Sequence, residues 1–275
     1  MDTTPLSAYL ARPGQSMEAH ARGVADAGES LIDGAGETPF GDSWKEVVET
    51  LAWIHDIGKL TEYFQGYVRS GDRTTAPAAE LTYHGTFGGL VAVLALGERG
   101  FQPQTAAAGF YAVTKHHSVL QNIPTEISEY GQLNTQQVQN RYDIAERQLK
   151  SIDETAADAA AALLHQATDG AYSWDALVED GIRRAERIIG NVESTTHDEE
   201  FYGCVLRAWS TLVAADKADA SGLTTDGSLS LDSGQQIEHD SLTSEVRALA
   251  ETPLPDGTTA ARYLDEPDRP LPGSE

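Results

Sequence analysis

Residues of metal-binding type stand at seven telling places in this sequence: the pairs His55-Asp56 and His116-His117, the single histidines His20 and His84, and Asp216. Adjacent residues on a helix point about 100° apart. A His-Asp corner could therefore reach two neighbouring metals, which in two-metal sites lie roughly 3.5–4 Å apart. The imidazole would serve one metal and the carboxylate would be shared. Taken alone, the dipeptide reads better as a surface turn at a helix end.

The surroundings change that balance. His55 follows Leu51 by four residues and Val48 by seven, so it falls on the apolar side of its helix. His20 comes three after Met17 and four before Val24; Asp216 comes three after Val213, four after Leu212 and seven after Trp209. A carboxylate buried on such a face needs a cation, because an unpaired buried charge is strongly destabilising. Any one of the three reads as a core residue satisfied by hydrogen bonds; three on separate helices read better as a site. His116-His117 ends an apolar segment containing Phe110, Tyr111 and Val113. Neutral imidazole suits transition metals, and an exposed polar helix end is the competing reading. His84 precedes a segment rich in Gly and Leu, where a simple capping role competes.

The elements that must position these residues have the helical period almost throughout, and the expected class is all-α. Ser16 can cap a helix whose Met17, His20, Val24, Ala27 and Leu31 share a face. Trp44, Val48, Leu51 and His55 share the face of a second, which Gly58 is expected to stop. Further helices are expected over residues 84–96, 105–120, 135–167, 174–189 and 199–220. No alternating strand or Asn-Gly hairpin signal stands out. Residues 71–80 read as a loop and 221–236 as a linker rich in Ser, Gly and Thr. A short helix is expected at 240–251, and the proline-rich end, 253–275, reads as extended or disordered. The expected organisation is a catalytic domain over 1–220 and a linker with a tail over 221–275.

Composition bounds the rest. The 275 residues include one cysteine, Cys204, so no intrachain disulfide can form and a cytoplasmic setting is expected. The start shows no signal-peptide pattern, and the longest apolar stretch is too short to span a bilayer. Asp and Glu number 43 against 19 Lys and Arg, a formal net charge of -24. Such a surface suits high salt, where screening removes self-repulsion.

The order H, HD, H, HH, D resembles the HD phosphohydrolase superfamily. The stretch His55-Asp56-Ile57-Gly58-Lys59, followed by Phe64-Gln65, is similar to a narrower group, the HD nuclease of type I CRISPR interference. Lys115-His116-His117 and Ala215-Asp216-Lys217-Ala218-Asp219 match its later motifs. The resemblance covers roughly residues 16–220. Where family members often carry Ser after the single histidine, this chain has Gly85; where they often carry Gly after the double histidine, it has Ser118.

The resemblance implies an HD-domain helical bundle with a two-metal site in its core cleft. His20, His55, Asp56 and Asp216 would hold one metal; Asp56, His84, His116 and His117 would hold the other. An imidazole-rich set favours Mn, Fe, Co or Ni over Mg. The metals would activate a water for in-line attack on phosphorus. Asp56 and Lys59 would act in catalysis, Lys59 by stabilising the phosphate or the leaving oxygen. The implied substrate is single-stranded DNA. The implied partners are a superfamily 2 type helicase and a CRISPR surveillance complex. The sequence contains no GxxxxGK[ST] phosphate loop, so that helicase would be supplied separately or by a following domain. The competing enzymatic reading is an HD phosphohydrolase acting on nucleotides or cyclic nucleotides. A non-catalytic scaffold is a further alternative.

Overall fold

A computed structural model describes residues 4–71, 79–120, 136–192, 199–221, 224–225 and 228–229. Among these residues are nine α-helices: α1 (Met17–Leu31), α2 (Trp44–Ile54), α3 (Glu62–Ser70), α4 (Gly85–Glu98), α5 (Pro103–Thr114), α6 (Gln136–Thr155), α7 (Ala157–Thr168), α8 (Trp174–Val192) and α9 (Glu199–Ser221). The class is all-α. The chain divides into Met1–Leu229 and Ser230–Glu275. The second unit, with the helix expected at 240–251 and the end at 253–275, lies outside the described residues, as does most of the loop expected at 71–80.

Helix α4 is the centre of the bundle. Its residues from Phe87 to Leu96 are all buried, as expected of a helix that is apolar all round. It packs against α2, α5 and α8, while α1 and α5 both pack against α9. The core is one cluster, in which Trp44, Phe87, Phe110, Phe201 and Met17 are the largest fully buried side chains. Hydroxyl caps define several helix starts: Ser16 accepts from Ala19 N, Ser43 from Glu46 N and Thr61 from Phe64 N.

Four local features differ from the sequence expectation. The first is a small antiparallel hairpin, β1 (Leu10–Arg12) and β2 (Gln15–Ser16), with Gly14 at φ 83° in its turn. A second small pair, β3 (Thr224–Thr225) and β4 (Ser228–Leu229), falls in the segment read as linker. Next, the segment expected to be one helix over 135–167 is two. Ala156 departs from helical geometry at φ -147°, where Tyr9 Oη donates to the Thr155 carbonyl at 2.8 Å and Trp174 Nε1 donates to Asp153. Finally, α2 ends at Ile54 and α5 at Thr114, earlier than the periodicity indicates. Both early stops place a His pair just beyond a helix end.

Candidate metal centre

The stop of α2 builds the HD corner. His55 caps the helix, Asp56 lies at φ -104° and ψ 11°, and the chain continues into a 3-10 turn, Ile57–Leu60. Gly58, expected as a helix stop, has a different use. A Cβ there would sit 2.6 Å from His84 Cβ, so only glycine lets the turn close onto the N-cap of α4. Gly85 is held to the same limit, since its Cβ would lie 2.7 Å from the Thr114 carbonyl oxygen. A serine side chain there would have no room in this packing. Gly88 likewise allows α4 to touch the His55 carbonyl.

All seven expected residues converge, in two groups. Ligand atoms of Asp56, His84, His116 and His117 lie within 4.8 Å of one another, as do those of His20, His55 and Asp216. Asp56 joins the groups: its Oδ2 lies 2.9 Å from His20 Nε2 and 3.4 Å from His55 Nε2, and its Oδ1 lies 2.9 Å from His84 Nε2 and 3.4 Å from His116 Nε2. Asp216 Oδ1 is 3.5 Å from His20 Nε2 and Asp216 is only partly buried, less than its apolar helical face suggests. Lys59 Nζ sits 2.5 Å from Asp56 Oδ2. His84 Nε2 and His117 Nε2 are 3.0 Å apart.

The backbone sets which imidazole nitrogen faces inward. His55 Nδ1 donates to the Ala52 carbonyl at 2.8 Å, His116 Nδ1 to Val113 at 2.5 Å and His84 Nδ1 to Thr82 at 3.3 Å. In neutral imidazole the other nitrogen then carries a lone pair. Three Nε2 lone pairs thus face the oxygens of one carboxylate, acceptor against acceptor. His55 Nε2, His116 Nε2 and Asp56 Oδ1 are buried with no hydrogen-bond partner, whereas buried polar atoms are nearly always paired. A divalent cation between them removes the conflict, and the imidazole-carboxylate set suits a transition metal.

Charge states follow from the same geometry. Burial would raise the Asp56 pKa, but His55, Lys59 and His84 outweigh it and hold the carboxyl well below its usual range. Burial dominates at His84, lowering it to about 4 against the pull of Asp56. Burial and the neighbouring His116 and His84 lower His117 to about 2. Burial also lowers His55. His20 is the exception: burial lowers it, yet the hydrogen bonds to Asp219 and Asp56 raise it to about 9.

That partner, Asp219, was not among the expected site residues. His20 Nδ1 donates to its Oδ2 at 2.7 Å. It lies three residues after Asp216, on the same side of α9, and that spacing is the signal that could have found it. Burial would raise its carboxyl, but hydrogen bonds from His20 and Gln15 lower it below the ordinary value.

Beside the centre is a cleft of about 460 Å³. Lys59, His84 and His117 line it, with Arg12 from β1, Phe64 and Tyr67 from α3, and Tyr83. Tyr83 is 62% exposed.

Comparison with curated proteins and with solved structures finds no match. The family model described as Cas3, HD domain matches residues 24–215, well over half of the chain. That segment contains His55, Asp56, His84, His116 and His117; His20, Asp216 and Asp219 lie just outside it. Membership implies a metal-dependent hydrolase of the CRISPR-associated nuclease type, and no helix among the described residues is long and apolar enough to cross a membrane. With that match and the HD corner at its centre, the chain belongs to the family of the Cas3 HD domain.

Proposed function

We propose that this chain cleaves single-stranded DNA by metal-dependent phosphodiester hydrolysis in type I CRISPR interference. It would act with a separately supplied helicase that delivers the strand from a surveillance complex. The carrying observation is Asp56, buried between the two ligand groups and within 3.5 Å of four imidazole Nε2 atoms. We take His20, His55, Asp56 and Asp216 to hold one divalent transition metal, and Asp56, His84, His116 and His117 a second. When bound, such ions supply an activated water and charge for the phosphoryl oxygens.

The chain's own residues do the rest. Asp56 keeps its charge in a buried place and fixes the spacing of the two groups. The Nδ1 hydrogen bonds of His55, His84 and His116 hold three rings in one tautomer, so the centre needs little rearrangement on loading. Lys59 Nζ lies both against Asp56 and on the cleft wall. It is placed to meet a phosphate oxygen as charge grows on it. Tyr67 and the exposed Tyr83 offer rings to unstacked bases, with buried Phe64 packed behind them, a sequence-tolerant mode that suits a single strand.

The formal charge of -24 sets long-range repulsion against DNA at low salt. Recruitment by a partner offsets weak binding, because a tethered strand reaches a high local concentration. The test is turnover of three substrate classes at high salt with Mn: single-stranded oligonucleotides, deoxynucleoside triphosphates and cyclic dinucleotides. Oligonucleotide cleavage with little turnover of the others is the expected result. Preferential turnover of either nucleotide class would move the protein to that branch of the superfamily.

A further inference from the structure

In the group formed by His20, His55 and Asp216, His20 is oriented differently from His55 and from His84 and His116 next to it. His55, His84 and His116 are aimed by backbone carbonyls one turn or less away. His20 has no such neighbour. Its Nδ1 turns to Asp219, across the bundle on α9, at 2.7 Å.

Asp219 is itself held. Its side chain is only 6% exposed. Gln15 Nε2 donates to both carboxylate oxygens, at 3.2 and 3.1 Å. Arg12 Nη2 donates to Oδ2 at 3.0 Å and to the Asp219 carbonyl at 2.9 Å. Both donors belong to the β1-β2 hairpin, and the hairpin is clamped in turn. Gln65 Oε1 accepts from Leu10 N at 3.1 Å, while Gln65 Nε2 donates to the carbonyls of Leu10 and Lys59, each at 2.9 Å. Gly23 on α1 leaves the space this needs, because a Cβ there would lie 2.1 Å from Asp219 Oδ1.

We propose that Asp219 is a positioning residue, which with the Arg12–Gln15 hairpin fixes the tautomer and orientation of His20 and thereby builds the metal site at His20, His55 and Asp216. The proposal rests on the metal-binding reading above. Its physical basis is general: a carboxylate accepting the second N–H of a ligating imidazole orients the ring and raises its basicity. Asp219 touches neither metal nor substrate; it acts through His20. The hairpin and Asp219 both lie outside residues 24–215. The half of the centre nearest the chain ends therefore depends on the first hairpin and the last described helix meeting around one carboxylate.

The test is a titration of the full chain with Co(II), read by calorimetry and by visible absorption, for wild type, Asp219→Ala, Asp219→Asn and Gln15→Ala. Wild type should take up two equivalents with separable spectra. Asp219→Ala should bind one of them about 10- to 100-fold more weakly, with a changed absorption band for that ion and an unchanged second ion. Asp219→Asn, which keeps an oxygen to accept from Nδ1, should recover part of the loss. Gln15→Ala, which leaves α9 intact, should shift the same equivalent by less; it carries the test if Asp219→Ala does not fold. Wild-type affinities and spectra in these variants, or equal weakening of both ions, would overturn the proposal. A wild type that binds no Co(II) would overturn the metal-binding reading beneath it, and the wild-type trace alone shows which has failed.

Discussion

The two clusters that could hold metal meet at Asp56 and are built from different parts of the chain. The group of Asp56, His84, His116 and His117 is assembled from the cap of α4, the exit of α5 and the HD corner, elements packed on the core helix. His84 and His116 are aimed by nearby carbonyls, and His84 and His117 are depressed in pKa, chiefly by burial. The group of His20, His55 and Asp216 joins α1 to α9, and its one long-range imidazole is held by Asp219 and raised to about 9. The His55, His84 and His116 rings are set by local backbone geometry, the His20 ring by a tertiary closure between elements some 200 residues apart. Local hydrogen bonds persist through modest shifts in packing; a closure between distant segments is lost when either segment moves.

That contrast can be broken first by single ligand substitutions. His84→Ala should abolish uptake of one metal equivalent and leave the other, while Asp216→Ala should do the reverse. Each loss should exceed the roughly 10- to 100-fold effect of outer-shell changes, by calorimetric titration. If both variants lose the same equivalent, the division into two groups is wrong. Next in size is Gly58→Ala. Its Cβ must push His84 away, at about 1–3 kcal/mol for overpacking, and denaturant unfolding should show this together with weaker binding at the His84 group only. Smaller is Tyr83→Ala, which should weaken single-strand binding about tenfold, within the ~1–3 kcal/mol of base stacking, while hydrolysis of a base-free phosphodiester stays unchanged.

The subtlest consequence concerns protons. At neutral pH His20 carries a proton that an entering metal must displace, whereas His84 and His117 are already neutral. Calorimetry in buffers of different ionisation enthalpy should find about one proton released at the His20 group, in line with deprotonation of ligands on binding, and fewer at the other. In the metal-free protein the signs are opposite. The raised His20 value contributes stability that is whole below about pH 6.5 and lost as the pH rises through about 9. The depressed His84 value works the other way, with stability lost as the pH falls from 6.5 through about 4.

The all-α class was legible from periodicity, which also put His20, His55 and Asp216 on apolar faces; grouping them with His84, His116 and His117 came from the resemblance in motif order. The apolar run of α4 marks the core. What periodicity cannot see is where a tertiary contact ends an element. The Ala-rich segment after Thr155 has helical propensity throughout, yet Tyr9 takes the Thr155 carbonyl and the helix breaks. Helix α2 stops at His55-Asp56 and α5 just before His116-His117, and Gly58 serves close packing against His84. The β1-β2 hairpin has a local signal, Pro13-Gly14, but its partners Gln65 and Asp219 are far away in sequence. For Asp219 the sequence offers only its three-residue spacing from Asp216; its partner His20 becomes plain once α1 and α9 are seen side by side.

The most direct test of the account is cleavage of a single-stranded DNA circle at high salt with added Mn or Ni, comparing wild type with Asp56→Ala and with a metal-stripped sample. Asp56 serves both groups, so the account predicts linearisation and degradation by wild type, and none by the variant or after stripping. Cutting by a folded Asp56→Ala protein, or no cutting by a metal-loaded wild type, would contradict it.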